Sequence, residues 1–262
     1  MSAASARTQL VLTSLRGVPL IQPGDHIADL TWRVLNENDI PLEDGDILVF
    51  AQKIISKAEN RLVHLSGVHP SHRAIELAAH TGKDARFIEL VLQESRQVIR
   101  TRQNTIIVEH KKGFICANAG IDHSNVDGGG DDPDGWVLLL PEDPDRSAQE
   151  IRSALETRSG KHIGVLIIDS HGRAWRMGTV GVSIGVAGMP ALVDLRGVED
   201  LFGYKLRITQ VGAADELAAA ASLLMGQSAE GSPIIHARGF PYALREGSLD
   251  ELIRPTDQDL FR

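Results

Sequence analysis

The run Ile163-Gly164-Val165-Leu166-Ile167-Ile168 constrains the fold more than any other stretch of this chain. It is short, apolar and rich in β-branched residues, which reads as a buried strand. The run stops at Asp169-Ser170, and His171-Gly172 predicts a turn. A carboxylate and a hydroxyl at the end of a buried strand lie at the lip of a sheet, where α/β proteins bind ligands. Arg173 and Arg176 follow, with Trp175 beside them. Hard oxygen ligands next to guanidinium groups suit a divalent cation and a polyanion such as phosphate. A plain strand end with a solvated arginine pair fits the same residues.

The 262 residues suffice for one large domain or two modest ones. A net charge of −8 argues against a general nucleic-acid or anionic-membrane surface, although a local cluster of Arg, Lys and metal can still hold a nucleotide. The one cysteine, Cys116, excludes an intrachain disulfide framework; in Gly113-Phe114-Ile115-Cys116-Ala117 it reads as a buried inert thiol. No apolar segment reaches bilayer length, and Met1 to Gln9 lacks a secretory h-region, so the expectation is a soluble cytoplasmic protein with a frayed N-terminus.

In chain order, Val11 to Leu15 reads as a strand and Asp25 as the cap of a helix carrying Ile27, Leu30, Val34 and Leu35. Ile47 to Phe50 reads as a second buried strand. Lys53 and Lys57 follow one helical turn apart, on one face that can meet phosphate or simply be solvated. Ser71 to His80 and Asp84 to Ile99 are expected helices, the second with its apolar stripe in the core. Strands around Lys111-Lys112-Gly113 predict a hairpin that runs into Asn118-Ala119-Gly120-Ile121-Asp122-His123-Ser124-Asn125. That segment is either a structural turn or the source of a second metal ligand, Asp122, with Asn125 as an amide for base or phosphate. Residues 127–135 are an acidic, Gly-rich loop without EF-hand spacing. Trp136 to Leu140 reads as a strand, and Ser147-x-x-Glu150 as the capping box of a helix ending at Gly160. The glycines of Gly181 to Gly188 suit close backbone approach. Leu206 to Val211 reads as a strand, Asp215 to Met225 as a helix stopped by Gly226, and Pro233 to Ala237 as a last strand. Neither a Walker A pattern nor GxGxxG occurs, and the ten histidines show no ligand spacing.

Taken together, the blocks Gly17-Val18-Pro19-Leu20-Ile21, Ile55-Ser56-Lys57-Ala58-Glu59, Asn118-Ala119-Gly120-Ile121-Asp122-x-Ser124-Asn125, Ile168-Asp169-Ser170-x-Gly172-Arg173-x-Trp175-Arg176, Ser183-Ile184-Gly185-Val186-Ala187-Gly188 and Asp215-Glu216-Leu217-Ala218 resemble the coenzyme F420-0:L-glutamate ligases (gamma-glutamyl ligases) in order and spacing. The resemblance runs from about Leu15 to Gly239. It implies an α+β fold with mixed sheets and packed helices, in an intertwined homodimer. The ligase domain would span 10–245, with room for two subdomains, ahead of a C-terminal tail, 246–262. It further implies GTP-dependent addition of L-glutamate to F420-0, later additions being γ-linked, with Mg²⁺ or Mn²⁺ and a monovalent cation such as K⁺. By matching position, Asp122, Asp169, Ser170 and Gln227 would be metal ligands. Val18, Pro19, Leu20, Ile21, Gln52, Lys57, Asn125 and the loop Met225, Gly226, Gln227, Ser228, Ala229, Glu230, Gly231, Ser232 would contact GTP. Ser170 stands where the family more often has Thr, Asn60 where it has Gly, and Gln52 where many members carry a hydroxyl.

The chemistry explains such residues. Oxide is a poor leaving group, so in the reaction the resemblance implies the acceptor carboxylate would first be phosphorylated by GTP and the glutamate amine would then displace phosphate. Transfer between anions needs charge neutralisation and in-line positioning. Lys57, Arg173 and Arg176 are the candidate catalytic cations. A metal-dependent phosphohydrolase and a non-catalytic nucleotide- or deazaflavin-binding protein are the rival classes.

Overall fold

A computed structural model describes residues 9–129, 132 and 135–259. In chain order these form β1 (Val11–Ser14), α1 (Ile27–Glu37), β2 (Ile47–Ala51), α2 (Gln52–Ala58), β3 (Leu62–His64), α3 (His72–Thr81), α4 (Ala85–Gln93), β4 (Ser95–Arg102), β5 (Thr105–His110), β6 (Ile115–Ala117), β7 (Trp136–Leu138), α5 (Pro144–Ser159), β8 (Gly164–Arg173), β9 (Arg176–Ala187), β10 (Val193–Asp194), β11 (Gln210–Val211), α6 (Ala213–Met225) and β12 (Ile234–Arg238). The fold is α+β with mixed sheets and packed helices.

The main sheet has the order β1-β12-β2-β8-β9. Only β2 and β8 are parallel neighbours, paired from Ile47↔Gly164 to Ala51↔Ile168; the other pairings are antiparallel. These two strands are buried on both faces, which explains their unbroken apolar runs. Leu48, Phe50, Val165 and Ile167 face α1, α2 and α5, while Ile47, Val49, Leu166 and Ile168 face α6. On β9, Gly181 and Gly185 let neighbours pack closely: a Cβ there would lie 2.5 Å from the Ala218 and Pro144 carbonyl oxygens respectively.

A parallel pair needs a crossover, and here it is long. Between β2 and β8 the chain builds a second unit, in which α3 and α4 pack on the antiparallel sheet β4-β5-β6 around Phe87, Ile88, Val91, Ile106 and Val108. Cys116 is buried there, and burial pushes its thiol up to about 12, as expected of an inert cysteine. Part of the expected C-terminal tail is packed on the domain: Leu249 is buried and its N–H donates to Asp145 of α5, while Glu251 accepts from the Ala191 and Leu192 N–H groups after β9.

Several local expectations are corrected. The helix from Asp84 ends at Gln93, and Val98 and Ile99 lie on β4; an apolar stripe at the right spacing also fits a half-buried edge strand. Asp25 accepts from the Gln22 N–H and closes a turn, leaving His26 as the uncapped N-cap of α1. Helix α5 starts a turn before the Ser147 capping box, at Asp143, whose side chain accepts from the Arg146 N–H. Of Leu206 to Val211 only Gln210–Val211 forms a strand, paired with β10. Residues 130, 131, 133 and 134 of the acidic loop, and 1–8 of the expected frayed N-terminus, lie outside the described residues. Asn60, in place of glycine, has φ +55°, a conformation Asn tolerates.

One buried ion pair ties the start of β2 to its neighbour β12. Asp46, fully buried, accepts from Arg238 at 2.7 and 2.9 Å, and its Oδ2 lies 2.9 Å from His236 Nε2. Burial alone would raise its pKa, but the hydrogen bonds from Arg238, His236 and the Glu43 N–H outweigh it and hold the carboxyl well below the usual range. A depressed folded pKa means the stabilisation is present above the ordinary carboxylate pKa and is lost as pH falls below it. We expect Asp46→Asn to cost roughly 3 kcal/mol at pH 7, the low end for breaking a buried pair because Arg238 reaches solvent. In urea unfolding the deficit should shrink towards pH 3.

Candidate active site

The site follows from the parallel pairing. Because Ala51 pairs with Ile168, the next residues, Gln52 and Asp169, emerge together at the carboxyl ends of the central strands. Such strand ends are where ligands bind in α/β sheets. The second unit folds back over this edge. After β6 the chain turns through three successive left-handed residues, Asn118 (φ +55°), Ala119 (+54°) and Gly120 (+70°). Gly120 is required twice over, since a Cβ would also lie 2.5 Å from the Leu140 side chain. Strained non-glycine residues at about 1–3 kcal/mol each persist where the surroundings over-determine them, and Ala119 is fully buried. The turn delivers Asp122 to a two-way backbone bridge with Leu138, at 3.0 and 2.9 Å.

Thus anchored, Asp122 Oδ2 accepts from Gln52 Nε2 at 2.7 Å and lies 3.3 Å from Lys53 Nζ. Ser56 Oγ donates to Gln52 Oε1 at 2.8 Å, which orients the amide so that its NH₂ faces the carboxylate. Burial, then the negative charge of Asp169, raise Asp122 to about 6 against the opposing pull of Lys53 and Gln52. The two acids, from distant parts of the chain, therefore lie near enough for the charge of one to act on the other. Asp169 Oδ2 is also 3.0 Å from His171 Nε2, and His171 packs on Phe114 with ring centroids 5.5 Å apart.

The lysines of α2 lie on one face, as expected. Lys53 Nζ donates to Ser124 O and Oγ at 2.9 and 3.0 Å, and Lys57 Nζ to Asn125 O at 2.8 Å. The pKa of Lys57 is lowered by burial and by Lys53. Asn125 in turn donates to Ser228 O at 2.8 Å, which joins the loop after α6 to the site. In that loop Gln227 Oε1 accepts from Ser170 Oγ at 2.8 Å.

Beyond Asp169 the chain does not turn at His171-Gly172. Strand β8 runs on to Arg173, because Ser170 pairs with Gly181 and His171 with Val180; the reversal is at Ala174-Trp175, with Trp175 at φ +55°. Arg173 and Arg176 are consequently cross-strand partners at an exposed hairpin tip, and Arg173 donates to Met177 O. At ~3.3 Å per strand residue, Arg173 is roughly 13 Å along the strand from Asp169. The structure does not bring these arginines to the acidic pair. Val18, Pro19, Leu20 and Ile21 lie in the loop after β1, which the Gly24 N–H ties to Ala58 O beside Lys57; Ile21 is buried and Leu20 is 86% exposed.

The residues fit a hard cation. Two carboxylates, the Ser170 hydroxyl and the Gln227 carbonyl supply oxygen ligands, the kind that Mg²⁺ and Mn²⁺ take. Among the described residues no three His, Cys, Asp or Glu side chains gather to hold a metal by themselves. A cation here would leave coordination positions to water or phosphate oxygens, the usual state of protein-bound Mg²⁺. Lys53, expected with Lys57 on a face that can meet phosphate or be solvated, instead meets Asp122 and Ser124; His171, which shows no ligand spacing among the histidines, lies against Asp169, its i, i+2 relation to that residue being the available signal.

Fold and site together define an α+β protein in which, among the described residues, acidic, amide and lysine side chains gather at the carboxyl ends of the one parallel strand pair. The chain belongs to the F420-0:gamma-glutamyl ligase family, whose sequence profile matches residues 17–239. It is 46% identical to the coenzyme F420:L-glutamate ligase of Methanothermobacter thermautotrophicus over 96% of this chain and 98% of that one. It is 44% identical to the protein of the same name from Methanopyrus kandleri, covering 94% and 96%. The Archaeoglobus fulgidus protein of that name is 42% identical, covering 95% and 94%.

The repulsion at Asp122 has a measurable consequence. A carboxyl whose folded pKa is raised is penalised once ionised, so this group's destabilising effect is absent below pH ~4 and complete above pH ~6. Metal-free Asp122→Asn should therefore be more stable than the parent at pH 8, by roughly 1–3 kcal/mol at ~1.4 kcal/mol per unit, and equal to it near pH 4. Thermal melts in chelator across that range are the check.

Proposed function

We propose that this chain is a GTP-dependent ligase that joins L-glutamate to the side-chain carboxylate of the deazaflavin F420-0 in coenzyme F420 biosynthesis. The single observation that carries the reading is the convergence of Asp122 and Asp169 with Lys53, Lys57 and Asn125 on one strand edge. Family membership supplies the substrates, since the relatives are named for glutamate ligation to coenzyme F420.

The reaction balances in two displacements. A carboxylate oxygen of the acceptor attacks the γ-phosphorus and GDP leaves; the glutamate amine then attacks the acyl carbon and inorganic phosphate leaves. Asp122 and Asp169 would hold Mg²⁺ or Mn²⁺, and Ser170 and Gln227 a second ion; K⁺ is the proposed monovalent partner. When bound, the divalent metal would neutralise charge between the triphosphate and the acceptor carboxylate. The chain's own part is orientation and charge. Lys57, partly desolvated, would meet phosphate oxygens, with Gln52, Asn125, the loop 18–21 and the loop 225–232 bordering the nucleotide. Arg173 and Arg176 stand apart from this centre within one protomer.

A homodimer belongs to the same proposal. Leu201, Phe202 and Ile208, between β10 and β11, and Trp175 and Met177 of the β8–β9 hairpin are all more than 80% exposed, more large apolar surface than a monomer usually leaves in water. No described helix is long and apolar enough to cross a membrane, and an interface with a second copy of this chain is the proposed use of these side chains. The pair of substitutions Leu201→Asp and Phe202→Asp should convert a dimer to a monomer in light scattering.

Incubation with F420-0, GTP, Mg²⁺ and glutamate should add the mass of one glutamyl unit to the deazaflavin, with phosphate release dependent on glutamate. Phosphate release without any mass gain would favour a phosphohydrolase instead. Asp122→Ala and Asp169→Ala should each lower turnover by roughly 10²-fold or more, the scale of losing a main electrostatic stabiliser.

A further inference from the structure

We propose that Lys53 is a built-in occupant of the cation site: in the metal-free protein its ammonium neutralises Asp122, and it must leave when a metal binds. The proposal rests on reading Asp122 and Asp169 as cation ligands. Three observations carry it. Lys53 Nζ is 3.3 Å from Asp122 Oδ2, the oxygen that also accepts from Gln52, so the ammonium already contacts a carboxylate that a metal would need. Its other bonds, to Ser124 O and Oγ, come from the segment that carries Asp122, so the ammonium is fastened in place rather than swinging in solvent. Gln52, the other donor to that oxygen, is a neutral amide, so of these two contacts Lys53 is the one that brings positive charge to Asp122.

A divalent ion placed between the two acids would do the same neutralising more strongly, and its charge would repel an ammonium bonded to the same carboxylate. Metal and Lys53 therefore compete. The anchoring at Ser124 gives the lysine somewhere to remain: it can keep those bonds while giving up Asp122, or turn to an anion that arrives with the metal. On this account metal alone binds weakly, and metal accompanied by a polyphosphate binds well, because the anion offers the displaced ammonium a new partner.

The competing account is that Lys53 merely clamps α2 to the Ile121–Asn125 segment, and the two differ in sign. A clamp pre-forms the site, so its removal weakens metal binding; an occupant blocks the site, so its removal strengthens binding. The experiment is titration of the full chain with Mn²⁺ alone, free ion being followed by electron paramagnetic resonance, for the parent, Lys53→Met, Lys53→Arg and Asp122→Asn. An opposite charge at this range is worth about 1–3 pKa units, ten- to a thousandfold, so Lys53→Met should bind Mn²⁺ at least about tenfold more tightly than the parent. Lys53→Arg, which retains the charge, should stay within a few-fold of the parent, and Asp122→Asn should lose the site. Adding GDP should tighten Mn²⁺ binding more in the parent than in Lys53→Met. Equal or weaker Mn²⁺ binding by a folded Lys53→Met, judged by its thermal melt, overturns the proposal. Saturable binding in no variant, with or without GDP, overturns the cation reading itself and this proposal with it.

Discussion

The parallel pairing of β2 with β8 is the constraint on which the rest depends. Two strands buried on both faces cannot be joined by a tight turn, because a parallel pair requires the chain to return to the same end of the sheet. The return path here is a whole second unit with its own core, around Ile88, Val91 and Ile106. Gln52 and Asp169 leave the sheet at one edge because of the register, and the second unit closes over that edge carrying Asp122.

The electrostatics of that edge differ from those of the other buried acid. Asp46 is surrounded by donors and rests far below its ordinary pKa, a structural ion pair with nothing left to bind. Asp122 is raised despite an amide and an ammonium within reach, because burial and a second carboxylate outweigh them. Unfavourable charge tolerated at Asp122, against full compensation at Asp46, marks the first as the candidate functional group and the second as structural. The strained turn at Asn118-Ala119-Gly120 lies just ahead of the penalised acid, so conformational strain and charge repulsion meet at the same short segment.

Much of the fold was legible in periodicity. The runs at Ile47 and Ile163 were read as buried strands and are the central pair; the helix ended by Gly160 and the hairpin around Lys111-Lys112 also appear where expected. Errors arose where two structures share one pattern. Val98 and Ile99 continue a helical stripe on paper but belong to a strand, and Ser147-x-x-Glu150 satisfies a capping rule inside a helix that Asp143 had already begun. His171-Gly172 has turn composition, yet pairing with β9 across Val180 and Thr179 outweighs it.

By itself the sequence determined the two buried strands, the oxygen-rich segments after them and, through the ordered blocks, the family. These follow from local composition and spacing, which need no knowledge of what lies opposite. Only the tertiary structure decided that Asp122 and Asp169 lie near enough to interact, that Lys53 grips the first of them, and that Arg173 and Arg176 stand at the far tip of a hairpin. Charges act over a few ångströms of space, and the distance between residues 53, 122 and 169 is set by strand register and by one left-handed turn, neither of which is written at any single position.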